Sequence, residues 1–453
     1  MRFKQLEDWL CWQESLNPVE IDLGLARVQQ VLTQLGLSAR LNCPIITVAG
    51  TNGKGSVVAM IEAIALAAGK KVCCYTSPHL FKYNERIRIN QQPVSDEVLC
   101  ESFERIDQAR QLPDVDAAVN QSTDIHAKVI QEAVALTYFE FGTLAAIDIF
   151  SRSNADLVVL EVGLGGRLDA VNVMQPSVAV VSSIDIDHID WLGNNRESIG
   201  REKAGIFRQS IPAICGDAQP PASLLQVAGE LGAELLCIGK DYSVQKNNNG
   251  WGLFSPFGNL DNLPVPALAG DFQLVNAATA VLSLQALASK MKAVFQIGEA
   301  AYQQGLKKAY LAGRFETLQT LPLVQVDVAH NPHAAKALLS QLNMSPKNRP
   351  QGRCFAIIAM LADKDIEQVV EILAPAIDVW YCAGLASVAR GLDASELIKR
   401  VQSSLTNVKL CHAETVKLAC KKVLEKMTEH DRVIIFGSFF TASEAIAFFR
   451  KSF

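Results

Sequence analysis

The densest chemistry in the chain lies at Gly50-Thr51-Asn52-Gly53-Lys54-Gly55-Ser56. Glycines let backbone amides approach phosphate oxygens, a lysine adds positive charge, and a helix starting here adds the partial positive charge of its N-terminus. The spacing departs from the standard phosphate-binding loop: an alanine-containing segment replaces the first glycine, and Gly55 separates Lys54 from the hydroxyl of Ser56. A plain glycine-rich turn would use the same letters, but the apolar run before it and the helical pattern after it favour phosphate. Glu161 ends another apolar run, just before the glycines of Leu160 to Asp169. It reads either as a magnesium ligand at a strand's carboxyl end or as a brace for the turn. Asp185-Ile186-Asp187-His188-Ile189-Asp190 crowds oxygen and nitrogen donors that repel one another unless a cation near phosphates relieves them, although a lone histidine is also commonly structural. Arg201 to Phe207 is helical in pattern and by itself is an ordinary charged face. At Val326 to His333 a strand pattern gives way to a helical one. Asp327 and His330 there either face a cleft between domains or form a helix cap and a packed histidine.

These residues need elements to hold them. Ile45 to Ala49 reads as a buried strand, and a helix follows from Ser56 with Val57, Met60, Ile61, Ile64 and Ala68 on its apolar positions. Val72 to Tyr75 is a second strand, and Ser95 caps a further helix. Leu157 to Val162, Val178 to Ser182 and Ile211 to Cys215 continue the alternation, which implies a parallel sheet covered by helices. The polar stretch from Gln111 to Lys128 reads as a surface loop or insertion. Asp241 to Asp271 suggests short β elements before a helix at Asn276 to Leu287. A second alternation runs through Leu323 to Val328, Phe355 to Ala359, Val379 to Cys382, Val408 to Cys411 and Val433 to Phe436. The glycine at Gly313 is the expected boundary between two α/β domains, 1–312 and 313–453.

Composition narrows the function. With 453 residues the chain exceeds one average domain, and a formal net charge of -5 gives no basic surplus for nucleic acid. Eleven cysteines without paired C-x-x-C spacing argue against a disulfide framework or a zinc site. The charged start MRFKQLEDWLCW is no secretory signal, and no later segment reads as a clean apolar span of transmembrane length. The expectation is a protein of the reducing cytoplasm, off the membrane, that acts on small anions.

In order, TVAGTNGKGS, YTSPHL, LTYFEFGTL, LEVGLGGRLDA, DIDHIDWLG, REKAGIF, AGRFE, DVAHNPHAA and FGSF cover nearly the whole chain. Together they resemble folylpolyglutamate synthase and bacterial dihydrofolate synthase, of the Mur-type ligase superfamily. The resemblance implies a P-loop ATP-binding domain with a parallel sheet plus a smaller C-terminal Rossmann-like α/β domain, with the active site between them. It implies that a substrate carboxylate takes the γ-phosphoryl group of ATP and that the amine of L-glutamate attacks the resulting acyl phosphate. It assigns the ATP phosphates to Thr51, Asn52, Gly53, Lys54, Gly55 and Ser56, with Asn276, Arg314 and Asp327 as further nucleotide contacts, and magnesium to Ser77, Glu161 and His188. Two magnesium sites are implied, and the resemblance admits potassium as an additional cation. Lys203 becomes a carbamylated lysine whose added carboxylate turns a repelling cation into a metal ligand. His330 and Ser438 fall near the incoming glutamate.

A pteroate pocket is implied at Ile21, Asp22, Leu23 and Gly24, at Thr137, Tyr138, Phe139 and Glu140, and at Leu168, Asp169 and Ala170. Tyr138 and Phe139 offer flat apolar surface to a pterin or else belong to the core. The implied substrates are dihydropteroate, reduced folates and glutamate, and the implied state is a monomer. The stretch at Gln111 to Lys128 departs from the bacterial pattern and puts substrate preference in doubt. Two rivals stand beside this reading: a cell-wall precursor ligase, for which no uridine-binding domain precedes Pro44, and a non-catalytic nucleotide switch, against which Glu161, His188 and Lys203 argue jointly.

Overall fold

A computed structural model describes residues 1–17, 19, 21–112, 133–248, 250–292, 294–343, 352–388, 390–406 and 408–451. From residue 113 onward, the polar stretch expected as an insertion lies outside the described residues.

Short, wholly apolar runs too brief for helices become strands buried on both faces. Strands β1 (Ile45–Ala49), β2 (Val72–Tyr75), β3 (Ile87–Ile89), β4 (Gln92–Pro93), β5 (Leu157–Glu161), β6 (Val178–Val181), β7 (Pro212–Cys215) and β8 (Glu234–Cys237) form one sheet in the order β4-β3-β2-β5-β1-β6-β7-β8. It is parallel from β2 to β8, but β3 and β4 pair antiparallel at one edge, which the alternation did not announce. They are short and carry Arg88 and Gln92, so they lack the apolar run that marks a central strand. Helices Lys54–Ala67 and Tyr138–Ser151 are buried along most of their lengths and pack into this domain. The first begins at Lys54, two residues before the expected Ser56. The helix after Ser95 is capped as read, the Ser95 hydroxyl accepting from the Val98 amide at 3.4 Å.

Strands β9 (Ser243–Asn247), β10 (Gly250–Phe254) and β11 (Leu260–Leu263) make a small antiparallel sheet where short β elements were expected. The next helix spans Phe272–Lys290. On length and hydropathy it qualifies as a membrane span, which corrects the sequence reading. With 78% of its window buried inside the protein, it is a core helix.

The second sheet runs β12-β13-β17-β14-β15-β16, with β12 (Glu316–Thr320), β13 (Leu323–Val326), β14 (Cys354–Ile358), β15 (Val379–Ala383), β16 (Lys409–Ala413) and β17 (Arg432–Phe436). All its pairs are parallel except the edge hairpin β12/β13. Its core gathers Ile358, Val369, Trp380, Leu397 and Phe436. The chain divides into two compact units, residues 1–265 with 275–309, and residues 266–274 with 310–453. The segment 266–274 therefore groups with the second unit rather than with the region before Gly313.

Candidate active site

Strands β2, β5, β1 and β6 lie side by side and parallel, with Tyr75 opposite Leu160, Glu161 opposite Val48, and Val181 opposite Ala49. Their carboxyl ends come out level. The chain leaves β1 toward β2 and leaves β5 in the opposite direction toward β6, so the crevice between β1 and β5 is a topological switch point where open α/β sheets bind ligands.

The loop after β1 is pinned to the segment after β6. The Thr51 amide donates to Ser183 O at 2.8 Å, the Asp185 amide to the Thr51 hydroxyl at 3.0 Å, and the Ser182 hydroxyl to Asn52 O at 2.7 Å. Gly53 adopts φ 86° just before the helix, and a Cβ there would stand 2.6 Å from Asn276 Oδ1, so only glycine allows Asn276 to close over the loop. The Lys54 ammonium lies back over the loop mouth, donating to Gly50 O at 2.9 Å and Thr51 O at 3.2 Å. Gly55 and the buried Ser56 continue in the first helical turn.

Thr51, Lys54, Gly163, Asp187, His188 and Lys203 line one cleft. Glu161, 5% exposed at the end of β5, accepts the Ser77 amide at 3.3 Å, which joins the ends of β5 and β2. His188 stands at φ 53°, a left-handed conformation costly for a residue with a Cβ and a recurrent mark of functional sites. Lys203 is 3% exposed on helix Arg196–Ala204. Burial first, then the neighbouring Lys54 cation, pulls its ammonium down to about 7 against the opposing pull of Asp187 and Asp169. Among the described residues no three His, Cys, Asp or Glu side chains form a self-sufficient metal cluster. Magnesium beside phosphates needs only one or two carboxylates, the rest of its shell coming from substrate oxygens and water. The carboxylate of Glu161 with Ser77 beside it fits that demand.

Four further candidates lie in the second unit, at the carboxyl ends of the adjacent strands β13 and β17. Asp327 accepts the amides of Phe315 and Ala329 at 2.8 and 2.7 Å, and burial raises its carboxyl even with Arg314 acting against the rise. The Arg314 guanidinium lies 5.2 Å from the Phe439 ring, and the His330 ring lies 6.3 Å from the same ring. His330 Nδ1 is 2.8 Å from Val328 O, which makes Nδ1 the protonated nitrogen. Ser438 is buried and caps the last helix through the Thr441 amide at 3.0 Å.

Residues 121–284 match the Mur ligase middle domain and residues 313–439 the Mur ligase glutamate ligase domain. The dihydrofolate synthase/folylpolyglutamate synthase of Escherichia coli (strain K12) is 40% identical over 97% of this chain and 94% of its own, and that of Haemophilus influenzae is 36% identical over 97% and 96%. The chain belongs to the dihydrofolate synthase/folylpolyglutamate synthase family. A solved structure of the E. coli family member in complex with DHPP and ADP superposes with a TM-score of 0.87 at 39% identity, covering 99% of this chain and 98% of that one. A bifunctional folylpolyglutamate synthase/dihydrofolate synthase with Mn, AMPPNP and L-glutamate bound gives 0.84 at 40% identity, covering 98% of both. ATP and a divalent metal are thus the cofactors of this ligase family.

The segments that the family resemblance assigned to pteroate converge in this structure. Arg27 bridges the first two, pairing with Asp22 at 2.7 Å and with Glu140 at 3.0 Å. Glu140 also accepts the Thr137 amide at 2.7 Å while the Thr137 hydroxyl accepts the Glu140 amide at 3.2 Å, a capping box. Glu140 is thereby engaged in holding the helix start. Ile21, Leu23 and Gly24 lie in the half-buried stretch beside it. Phe139 joins the third segment: a Cβ on Gly163 would stand 2.6 Å from its ring and 3.3 Å from Asp169 Oδ2. Asp169, fully buried between Leu168 and Ala170, accepts the amides of Leu164 and Val171 at 2.9 and 3.0 Å, and burial raises its carboxyl to about 6. Tyr138 remains half-buried.

Sequence reasoning passed over His79, Tyr83 and Arg86. The Tyr83 and Tyr138 rings meet edge to face at 5.6 Å, and the Arg86 guanidinium lies 5.4 and 5.6 Å from them. Arg86 Nε donates to His79 Nδ1 at 2.9 Å. Burial, then the Arg86 charge, lowers His79 to about 4, which keeps it a neutral acceptor. The signal was an arginine and a tyrosine soon after the YTSPHL motif, in a stretch without strand or helix periodicity.

Proposed function

We infer that this chain, as an ATP-dependent ligase of its family, adds L-glutamate to dihydropteroate and to reduced folates through one acyl-phosphate site. The observation that carries this reading is the meeting of the Lys54 loop, Glu161 with Ser77, His188 and the buried Lys203 at the level carboxyl ends of β1, β2, β5 and β6. A carboxylate oxygen of the pteridine substrate attacks the γ-phosphorus and ADP leaves, turning a poor leaving group into a good one. The glutamate amine, having lost a proton, attacks the acyl carbon and phosphate departs. With the Thr51 and Asn52 amides holding the loop to Ser183, the amides at the helix start, Gly53 to Ser56, and the Lys54 ammonium stabilise charge on the phosphoryl oxygens, and such preorganised donors are the main source of rate open to a site of this kind. Asn276 closes on the loop; Arg314 and Asp327 are assigned further nucleotide contacts, and His330, with Ser438, contacts of the incoming glutamate.

When bound, magnesium polarises the phosphoryl group and offsets its charge. Two magnesium ions are proposed, held by Ser77, Glu161, His188 and a carbamylated Lys203. The lowered Lys203 supports the carbamate, because only the neutral amine adds to carbon dioxide, forming the N–C bond and releasing a proton. The pteroate moiety lies along Ile21 to Gly24, Thr137 to Glu140 and Leu168 to Ala170, with Phe139 and Tyr138 as its apolar surfaces. ATP and pteroate binding are assigned to 1–312 and glutamate ligation to 313–453. The enzyme is proposed to work as a cytoplasmic monomer, a compartment supported by cysteines that are all free. Sedimentation tests the monomer, and exchange of NaCl for KCl tests potassium as a further activator.

The deciding assay supplies purified protein with ATP, magnesium, glutamate and either dihydropteroate or tetrahydrofolate, following phosphate release and product mass. A mass gain of one glutamyl residue on both is expected. Phosphate release indifferent to both pteridines would sink the reading, and extension of tetrahydrofolate alone would reduce it to a monofunctional polyglutamate synthase.

A further inference from the structure

We propose that Arg86 recognises the α-carboxylate of the terminal glutamyl residue of folate substrates, a group that dihydropteroate lacks. The proposal rests on the function inferred above and adds to it a residue that separates its two substrates.

Arginines around the cleft are otherwise paired: Arg27 with Asp22 and Glu140, Arg88 with Glu62 at 2.9 Å, and Arg167 with Glu202 at 2.9 Å. Half-buried Arg86 is different. Its Nε is held by His79, its planar cation is flanked by Tyr83 and Tyr138, and among the described residues no carboxylate lies within ion-pair distance. The adjacent Glu85 is spent on the amides of Leu80, Phe81 and Lys82 at 2.8 to 2.9 Å. Anchoring through Nε leaves the two terminal NH2 groups as a fork, the geometry that binds a carboxylate through two parallel hydrogen bonds.

Position supplies the second argument. The Thr76 amide donates to Arg86 O at 2.9 Å, so Arg86 lies beside the chain entering Ser77, about one strand spacing of 5 Å from it. On its other side Tyr138 begins the helix that carries Phe139 to Gly163 at the cleft. Arg86 therefore stands alongside the path from pteridine surface to phosphate site.

Substrate charge then selects the partner. Pterin and p-aminobenzoyl groups are uncharged, and the only carboxylate of dihydropteroate must enter the phosphate site to be activated. A folate presents its γ-carboxylate there and keeps an α-carboxylate a few bonds away, which needs a cation once removed from water. An arginine without a carboxylate partner among the described residues, beside the site rather than in it, meets that need.

The test uses the full-length enzyme with ATP, magnesium and glutamate, and compares tetrahydrofolate with its α-carboxamide. For the unaltered enzyme the amide is expected to lower kcat/KM about 10- to 100-fold, the range of a hydrogen-bonded charge. Arg86→Met is expected to treat acid and amide alike within about twofold, and to lose more turnover of tetrahydrofolate than of dihydropteroate, whose reaction reports on folding. Arg86→Lys, which keeps the charge without the fork, is expected to retain an intermediate preference for the acid. The proposal is overturned if the unaltered enzyme does not distinguish acid from amide, or if Arg86→Met distinguishes them as well as it does. Equal loss of both pteridines in Arg86→Met, with the acid preference unchanged in Arg86→Lys, overturns it too. Absence of turnover of either pteridine by the unaltered enzyme would instead remove the function reading.

Discussion

A lysine 3% exposed and facing a second ammonium is unfavourable as a cation, and that conflict singles out Lys203. Lys203→Ala is expected to lower kcat about a hundredfold or more, with partial recovery on adding formate or acetate, because a small carboxylate can occupy the place of the proposed carbamate. Phosphate release measures both, and a variant near full activity would remove Lys203 from the mechanism. In sequence this residue sits in Arg201 to Phe207, indistinguishable from a solvated helix face, since burial is a property of what packs above it. Asp169 makes a second residue-scale claim. Its folded pKa of about 6 exceeds the unfolded 3.8, so the native state binds more protons between these values. Its stabilising contribution is thus complete below about pH 3.8 and is lost as pH rises through about 6. Asp169→Asn removes this titration. The stability of the unaltered protein relative to the variant, from thermal unfolding, is expected to fall between about pH 4 and 6 and then level off. A difference flat across that window would contradict the buried carboxyl.

Helix Arg196–Ala204 reaches the cleft only because the loop after β5 has no side chain in its way. A Cβ on Gly166 would lie 2.6 Å from Glu202 O and 3.0 Å from the Lys203 Cα, both backbone atoms that cannot swing aside. Gly166→Ala is therefore expected to push the helix outward, costing about 1–3 kcal/mol of stability and displacing Lys203. The check is paired: reduced thermal stability with a kcat loss that exceeds any change in KM for ATP, whereas normal kcat would show that the contact yields harmlessly. Elements of this kind were legible in proportion to their apolar regularity. Val72–Tyr75 was read with its observed bounds, and β5, β6 and β14 within a residue or so, because buried parallel strands are continuous apolar runs. Strands β4 and β12 at sheet edges, and β3 next to β4, were not read, since Gln92, Glu316 and Arg88 interrupt any such run. Helix Leu6–Leu16 was not read either: its buried set of Leu6, Trp9 and Gln13 includes a polar residue, and its anchors Phe103 and Phe141 are remote in sequence.

Strand order is where the whole molecule goes beyond the sequence. Alternating strands and helices imply a parallel sheet, but the order that sets β1 between β5 and β6 is a choice among right-handed crossovers that no local pattern fixes. That order brings residues as far apart as Lys54, Ser77, Glu161, His188 and Lys203 to one edge. The family resemblance named the set, and the topology gives it a physical reason. One loop then has to serve both reactions, because each begins with phosphorylation of a carboxylate. Lys54→Ala is accordingly expected to lower dihydropteroate and tetrahydrofolate turnover by the same factor, about a hundredfold or more. On the proposed pteridine surface of Tyr138 and Phe139 the two substrates are further expected to exclude each other: dihydropteroate should inhibit tetrahydrofolate extension competitively, with an inhibition constant equal to its own KM. Mixed-substrate kinetics that left the tetrahydrofolate rate untouched at saturating dihydropteroate, or a Lys54→Ala enzyme that kept one reaction, would require two separate sites in a chain whose sequence provides a single phosphate-binding loop.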